Sequence, residues 1–196
     1  MILDRLAGHH HSIEIRQRIL DPLQLTNTYY ELSEPPRGER AHGYENPFGF
    51  WEDTYHWTPV TGGSAGMVST MSDLAAFVRA VVGTNSFLNE ATRRVLKGEP
   101  NPNLDPSEAA DRFMVRYDFA LLPLQTGPKA PWYYGHRGVS DGCLCLAFHE
   151  PKDDITIVYV GTSANLRVVN PLKRLSGFYH ALEQSLFEMA VQSAKP

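Results

Sequence analysis

Apolar positions recur at helical steps in some stretches of the chain and fill nearly every position in others. Leu74, Phe77, Val78 and Val81 lie on one side of a predicted helix. Thr70-Met71-Ser72-Asp73 opens that helix with capping-box-like spacing, Asp standing where Glu is usual, and Gly83 is a natural stop. A weaker helix is predicted over Asn89 to Leu96, and a short one over Ile13 to Leu20, capped by Ser12 and ended by Asp21-Pro22. Leu172, Leu175, Tyr179, Leu182, Leu186 and Met189 form a last apolar stripe behind the cap and first-turn proline of Asn170-Pro171.

Between these helices the period changes. Phe113 to Leu122 reads as a strand and Trp132 to Gly135 as a short one. Gly142 to His149 and Asp154 to Thr162 are apolar on almost every residue, as expected of strands covered on both faces, and Glu150-Pro151-Lys152-Asp153 joins them as an antiparallel hairpin. From Thr26 to Ser64 the chain is rich in Gly, Pro, Asn and aromatics, a long irregular excursion with short strands at most, and Glu99 to Asp111 is a polar loop. Helices, then consecutive strands, then a closing helix specify an α+β fold, an antiparallel sheet flanked by helices. Residues 12–111 are its helix- and loop-rich part and 112–196 its strands and closing helix, all in one domain.

Composition narrows the function. The 196 residues are 42% hydrophobic and 11% aromatic, enough for a core, and carry a net charge of −4 without long runs of one sign. Nothing marks a nucleic-acid face, which would cluster basic residues. No stretch of about 18 apolar residues exists for a membrane span. Met1 is not followed by a secretory signal, so the sequence gives no export address.

Several groups invite a chemical reading and carry a plainer one. Cys143 and Cys145, two apart on a strand, leave the same face and read as small buried hydrophobes rather than catalytic thiols. His9-His10-His11 looks like a metal tract, but three adjacent histidines cannot all face one ion from a regular helix, so an exposed turn or a cloning remnant is expected and no metal site. Gly62-Gly63 and Gly66 lack the strand–loop–helix setting of a phosphate cradle. His42, His56 and Trp57 either line a pocket or pack locally, and Asp153-Asp154 is a solvated turn.

Three stretches, in order and spacing, resemble one family, the serine β-lactamase-like hydrolases that include class C β-lactamases, penicillin-binding proteins, D-peptidases and related esterases. Leu3 to Thr28 is similar to its helix-and-turn stretch, with Ile19-Leu20-Asp21-Pro22-Leu23 and Leu25-Thr26-Asn27-Thr28, although many members have Gly where this chain has Gln24. Ala65-Gly66-Met67-Val68-Ser69-Thr70 with Asp73-Leu74 resembles its glycine turn and helix start. Tyr134-Gly135-His136-Arg137-Gly138 with Gly142 resembles its third active-site motif, commonly Lys-Thr-Gly and His-x-Gly in many esterase and aminopeptidase-like members.

The resemblance implies a β-lactamase/transpeptidase-like fold and acyl transfer, in which a serine attacks a carbonyl while a lysine or tyrosine handles the proton. It implies that His136 touches substrate polar groups from an edge strand beside the catalytic serine. Gly138 would allow close backbone approach there, and the backbone N–H of Val139 would form half of the oxyanion hole. Histidine near its reference pKa carries little charge at neutral pH, unlike lysine, which favours esters or small peptides over β-lactams. Arg137 should point the opposite way on the strand.

The family's first motif is Ser-x-x-Lys, and no serine of this chain has lysine three residues on. The family places that motif before the region matched by Leu3, so the resemblance implies an N-terminally incomplete domain with no nucleophile in this chain. Tyr44-Glu45-Asn46 fits the second motif, Tyr-x-Asn, but follows the Leu-Asp-Pro-Leu stretch where the family puts it before, and it reads as a coincidence. The expectation is part of a serine hydrolase acting on a small-molecule ester, peptide or lactam, inactive alone and without cofactor. Completion would come from a homodimer, an N-terminal segment of another chain, or a longer gene product. The alternatives are a non-catalytic binding or interaction protein on the same scaffold, and a fragment with no native function.

Overall fold

The computed structural model describes residues 2–46, 49–57, 65–83, 87–97, 121–124, 131–140, 142–163 and 185. Helices α1 (Ile2–Ala7) and α2 (His11–Ile15) open the chain, and α2 runs into a π-helical turn over Arg16–Leu20. Short strands β1 (Tyr29–Tyr30), β2 (Tyr44–Glu45), β3 (Glu52–Asp53) and β4 (Met67–Val68) follow, then α3 (Met71–Val82) and α4 (Glu90–Lys97). Strands β5 (Leu122–Leu124), β6 (Tyr133–Ser140), β7 (Cys143–Glu150) and β8 (Ile155–Gly161) form one antiparallel sheet in the order β5-β6-β7-β8. The α+β expectation is met. The predicted closing helix and most of the strand from Phe113 fall outside the described residues.

The sheet carries apolar side chains on both faces. Leu122, Leu124, Tyr133, Leu144, Leu146 and Phe148 make one buried cluster, joined by Val139, Ile155, Ile157 and Tyr159. On the other face Leu121 and Ala147 meet Val78 and Val82 of α3, with Leu74, Val81, Leu96, Tyr134 and Val158 around them. This two-sided burial explains the unbroken apolar run of β7. The two clusters also show which side chains of β6 leave which face.

Helix α3 matches its predicted span, with Thr70 as N-cap and Gly83 as C-cap. The capping box is only half present. Asp73 N–H donates to Thr70 Oγ1 at 3.2 Å, but the Asp73 carboxylate does not reach back. It accepts instead from Asn27 N–H and Thr28 Oγ1, both at 2.9 Å. Thr28 Oγ1 also lies 2.8 Å from Ser69 Oγ, so the turn before β1 is sewn to the start of α3.

Three local expectations need correction. The first concerns the cap of α2, which is His10 rather than Ser12. The His10 side chain accepts from Ser12 N–H. Second, the helix ends near Asp21-Pro22 as expected, yet Asp21 keeps helical dihedrals and donates to Arg16 O at 2.9 Å. Pro22 has no N–H to continue the ladder, and the turn widens to five-residue bonds before it. Third, β6 does not stop at Gly135 but runs through the motif to Ser140, every residue from Tyr134 on paired with β7. His136-Arg137-Gly138 lacks the apolar alternation that marks a strand, and pairing with a strongly apolar neighbour supplies what its own pattern does not.

Gln24, where many family members carry Gly, has φ 56° and is exposed. A side chain in the left-handed region costs about 1–2 kcal/mol. Gln24→Gly should therefore raise unfolding free energy by about 0.5–1 kcal/mol after glycine's greater unfolded-state entropy is set against the relief, read from urea denaturation.

Candidate active site

His136 sits in the middle of β6, opposite Ala147, with Gly138 opposite Cys145 and Val139 opposite Leu144. Tyr134 packs on the α3 side of the sheet while Tyr133 and Val139 pack on the other. Strand alternation therefore places His136 and Gly138 on the α3 face and sends Arg137 to the opposite one, as the sequence predicts. Helix α3 covers that face around Ala147 and Val158. Farther along β6 and β7 His136 and Gly138 are exposed, Cys143 and Cys145 are half-buried, and across β8 Val160 is 41% exposed. The cysteines share a face as expected, but they are not fully buried, because this is where α3 no longer covers the sheet.

Among the described residues, β6 has an outer neighbour along only part of its length. Strand β5 pairs only with Tyr133, Tyr134 and Gly135. From His136 to Ser140, no described strand lies on the outer side of β6. Proline at position 123 suits β5 to an outer position, since it has no N–H for a further neighbour.

Close backbone approach is found at another glycine than expected. A methyl group at Gly138 would meet nothing within 4 Å among the described residues, whereas at Gly135 it would fall 1.9 Å from Ala147 O and 2.7 Å from Phe148 Cα. Gly135 lets β6 and β7 draw together, and Gly138 leaves open space beside His136.

The His136 imidazole is held below the ordinary histidine value, first by partial loss of solvation over the sheet. The positive charge of Arg137 pushes the same way, and a backbone hydrogen bond at Arg137 opposes both. At neutral pH the ring is uncharged, able to donate from one nitrogen and accept at the other.

The end of this strand pair is closed by a segment whose place the sequence did not show. Gly142, with φ 73°, turns β6 into β7, and a Cβ there would lie 2.5 Å from Tyr44 N. Tyr44 N–H donates to Thr162 O at 2.8 Å, and Gly142 N–H donates to Glu45 Oε1 at 3.0 Å. The glycine at 142 was legible as part of the motif; its partner, 97 residues earlier in the chain, was not. Beside this segment His42 Nδ1 lies 2.6 Å from Asp53 Oδ2 and its ring stacks on Tyr55 at 4.2 Å. His56 meets Tyr55 edge-on. These contacts favour the local-packing reading of His42 and His56. A shallow hollow of about 540 Å³ lined by Arg16, Leu20, Asp21, Gln24, Leu25, Thr26 and Arg37 includes none of the motif residues.

The family model described as Beta-lactamase matches residues 1–175. The chain belongs to the beta-lactamase family. Among solved structures of this fold, the D-amino acid amidase of Ochrobactrum anthropi SV3, complexed with L-phenylalanine amide, is 21% identical with a TM-score of 0.70, over 94% of this chain and 55% of that one. A D-stereospecific amidohydrolase from Streptomyces sp. is 18% identical with a TM-score of 0.65, over 82% of this chain and 46% of that one. The octameric penicillin-binding protein homologue from Pyrococcus abyssi is 17% identical with a TM-score of 0.64, over 94% and 40%. The chain thus spans about half the length of the D-amino acid amidase. The fold is β-lactamase/transpeptidase-like. Among the described residues no helix is long and apolar enough to cross a membrane.

Proposed function

We propose that this chain supplies the substrate-binding edge of a serine hydrolase that cleaves a small amide, ester or peptide through an acyl-enzyme. The observation that carries this is the half of β6 with no described strand on its outer side, where His136 is exposed, held below the ordinary histidine value, and, among the described residues, flanked by open space at Gly138. A substrate carbonyl laid along that edge would meet His136 on one side and the backbone N–H of Val139 as one oxyanion donor. A neutral imidazole hydrogen-bonds an uncharged amide or ester and attracts an anionic β-lactam carboxylate less than lysine would. The amidase and amidohydrolase names of two structural relatives support an amide substrate.

No serine of the 196 residues has lysine three positions on, so in this reading the nucleophile and its base come from outside them. The segment carrying both would complete a single domain to which residues 1–196 contribute the helix- and loop-rich part and the strands. It would belong to a longer product of the same gene or to another chain. The half-buried Cys143 and Cys145 with the exposed Val160 mark the sheet face it would cover. By itself the chain would not turn over substrate.

The same missing pair favours a second reading, a non-catalytic module that uses the groove for binding. Fluorophosphonate labelling read by intact mass separates the two. The hydrolase reading expects one adduct on a form extended upstream and none on the 196-residue chain. An adduct on the short chain would place the nucleophile within it, against the proposal. Absence of labelling on both, with a small-ester probe as well, would favour the binding module.

A further inference from the structure

Away from the sheet, α1, α2 and β1 meet around the histidine run, and the structure departs there from the expected exposed turn. His11 is only 4% exposed. Its backbone N–H donates to Asp4 Oδ1 at 2.7 Å, its Nδ1 lies 2.9 Å from the same oxygen, and its Nε2 lies 2.8 Å from Tyr30 Oη. His10, exposed and with extended dihedrals, stacks its ring 4.2 Å from that of His11. The objection to three histidines on one regular helix is half right. His9 turns away to Glu14, 3.2 Å distant, but the extended backbone at His10 breaks the helical phase and leaves His10 and His11 together.

We propose that Asp4, His10 and His11 form a binding site for a divalent transition ion, with zinc the natural occupant. One ligand atom from each of the three lies within 4.8 Å of the others, and among the described residues no other group of His, Cys, Asp or Glu is so arranged. Two imidazoles and a carboxylate suit zinc, cobalt or nickel better than calcium or magnesium, which prefer oxygen. Three protein ligands leave a fourth position for water on the exposed His10 side.

Tyr30 supplies the part that a chance cluster lacks. Without an ion, His11 Nδ1–H donates to Asp4 and Nε2 accepts from the Tyr30 hydroxyl. With an ion between His11 Nδ1 and Asp4, the ring changes tautomer and Nε2–H donates to the same hydroxyl oxygen. The hydroxyl serves either state, so metal entry does not orphan the buried nitrogen. A second hydrogen bond of this kind fixes a ligating histidine's tautomer and orientation. His10 Nδ1 is occupied by Ser12, 2.8 Å from its Oγ, which leaves His10 Nε2 to turn to the ion. Bound metal would clip α1 to α2 and, through Tyr30, to β1, independently of any hydrolase activity.

Isothermal titration of the 196-residue chain with zinc chloride, against four variants, tests the site. The expected result is one ion per chain, with Kd raised about tenfold or more by Asp4→Asn and His10→Ala, and by Tyr30→Phe, which keeps the packing but removes the hydroxyl. His9→Ala should leave Kd unchanged. A cobalt titration should show the absorption of a low-coordinate nitrogen–oxygen site, lost in His10→Ala. Absence of saturable binding at millimolar zinc would overturn the proposal. So would binding that Asp4→Asn, His10→Ala and Tyr30→Phe leave intact, which would place the ion at the thiols or another surface group.

Discussion

Gly135→Ala should cost about 3 kcal/mol or more of unfolding free energy, at the upper end of what inserted methyl groups cost in packed interiors. The atoms the new Cβ would meet, Ala147 O at 1.9 Å and Phe148 Cα at 2.7 Å, are backbone and cannot swing aside. Strands β6 and β7 would have to part at Gly135 and Phe148, between the pairs that hold Tyr134 and His136 in register. Tyr133, Leu144 and Phe148 lie in the adjoining core cluster, so separation would also loosen its packing. Urea denaturation with Gly138→Ala as the comparison makes the test specific. The added methyl at Gly138 meets open space, and that variant should stay within about 0.5 kcal/mol of the parent. Equal losses at both positions would mean that glycine is needed along β6 for its backbone freedom and not for strand approach.

The contrast between these glycines shows where sequence reading reached and where it stopped. Tyr134-Gly135-His136-Arg137-Gly138 was legible as a unit because its residue types and spacing match a family motif, and it does lie on one strand. Which glycine faces a backbone and which faces space is a property of the neighbouring strand, and local sequence does not encode it. Helix α3 was legible almost to the residue, since its cap, stripe and stop all agree. The β7–β8 hairpin was legible because unbroken apolar runs around a polar turn leave few alternatives. The extent of β6 was not, because its second half is polar and is held by β7 rather than by its own propensity. The closure of the site by Tyr44 and Glu45 against Gly142 depends on a contact across 97 residues. His11 was misread for a similar reason. Its burial rests on Asp4 and Tyr30, seven residues before and 19 after it, and a histidine run looks the same exposed or buried.

Asp73→Ala should lower unfolding free energy by about 1–3 kcal/mol, on the scale expected for hydrogen bonds to a charged acceptor, one of whose donor residues, Thr28, is buried while the other, Asn27, is exposed. The Asp73 carboxylate is buried and takes Asn27 N–H and Thr28 Oγ1 at 2.9 Å each. Removal leaves the Asn27 amide without that acceptor and Thr28 with only the Ser69 hydroxyl, 2.8 Å away. It also takes a negative charge from the first turn of α3, a further loss of about 0.3–1 kcal/mol. The capping box would assign Asp73 to its own helix, so that Asp73→Glu should be neutral or better. The structure assigns it to the turn at Asn27 and Thr28, so the longer glutamate should not substitute for it. Asp73→Asn should fall between, because its one oxygen can still accept from both Asn27 N–H and Thr28 Oγ1, which share Oδ2 of the carboxylate, while the charge is lost and the new NH2 group faces the Asn27 Nδ2 that donated to the other oxygen at 3.5 Å. The order parent, Asn, then Glu and Ala in urea midpoint would establish that this carboxylate docks the turn onto α3. A Glu variant as stable as the parent would return the residue to a capping role and leave the turn to be held by Thr28 and Ser69.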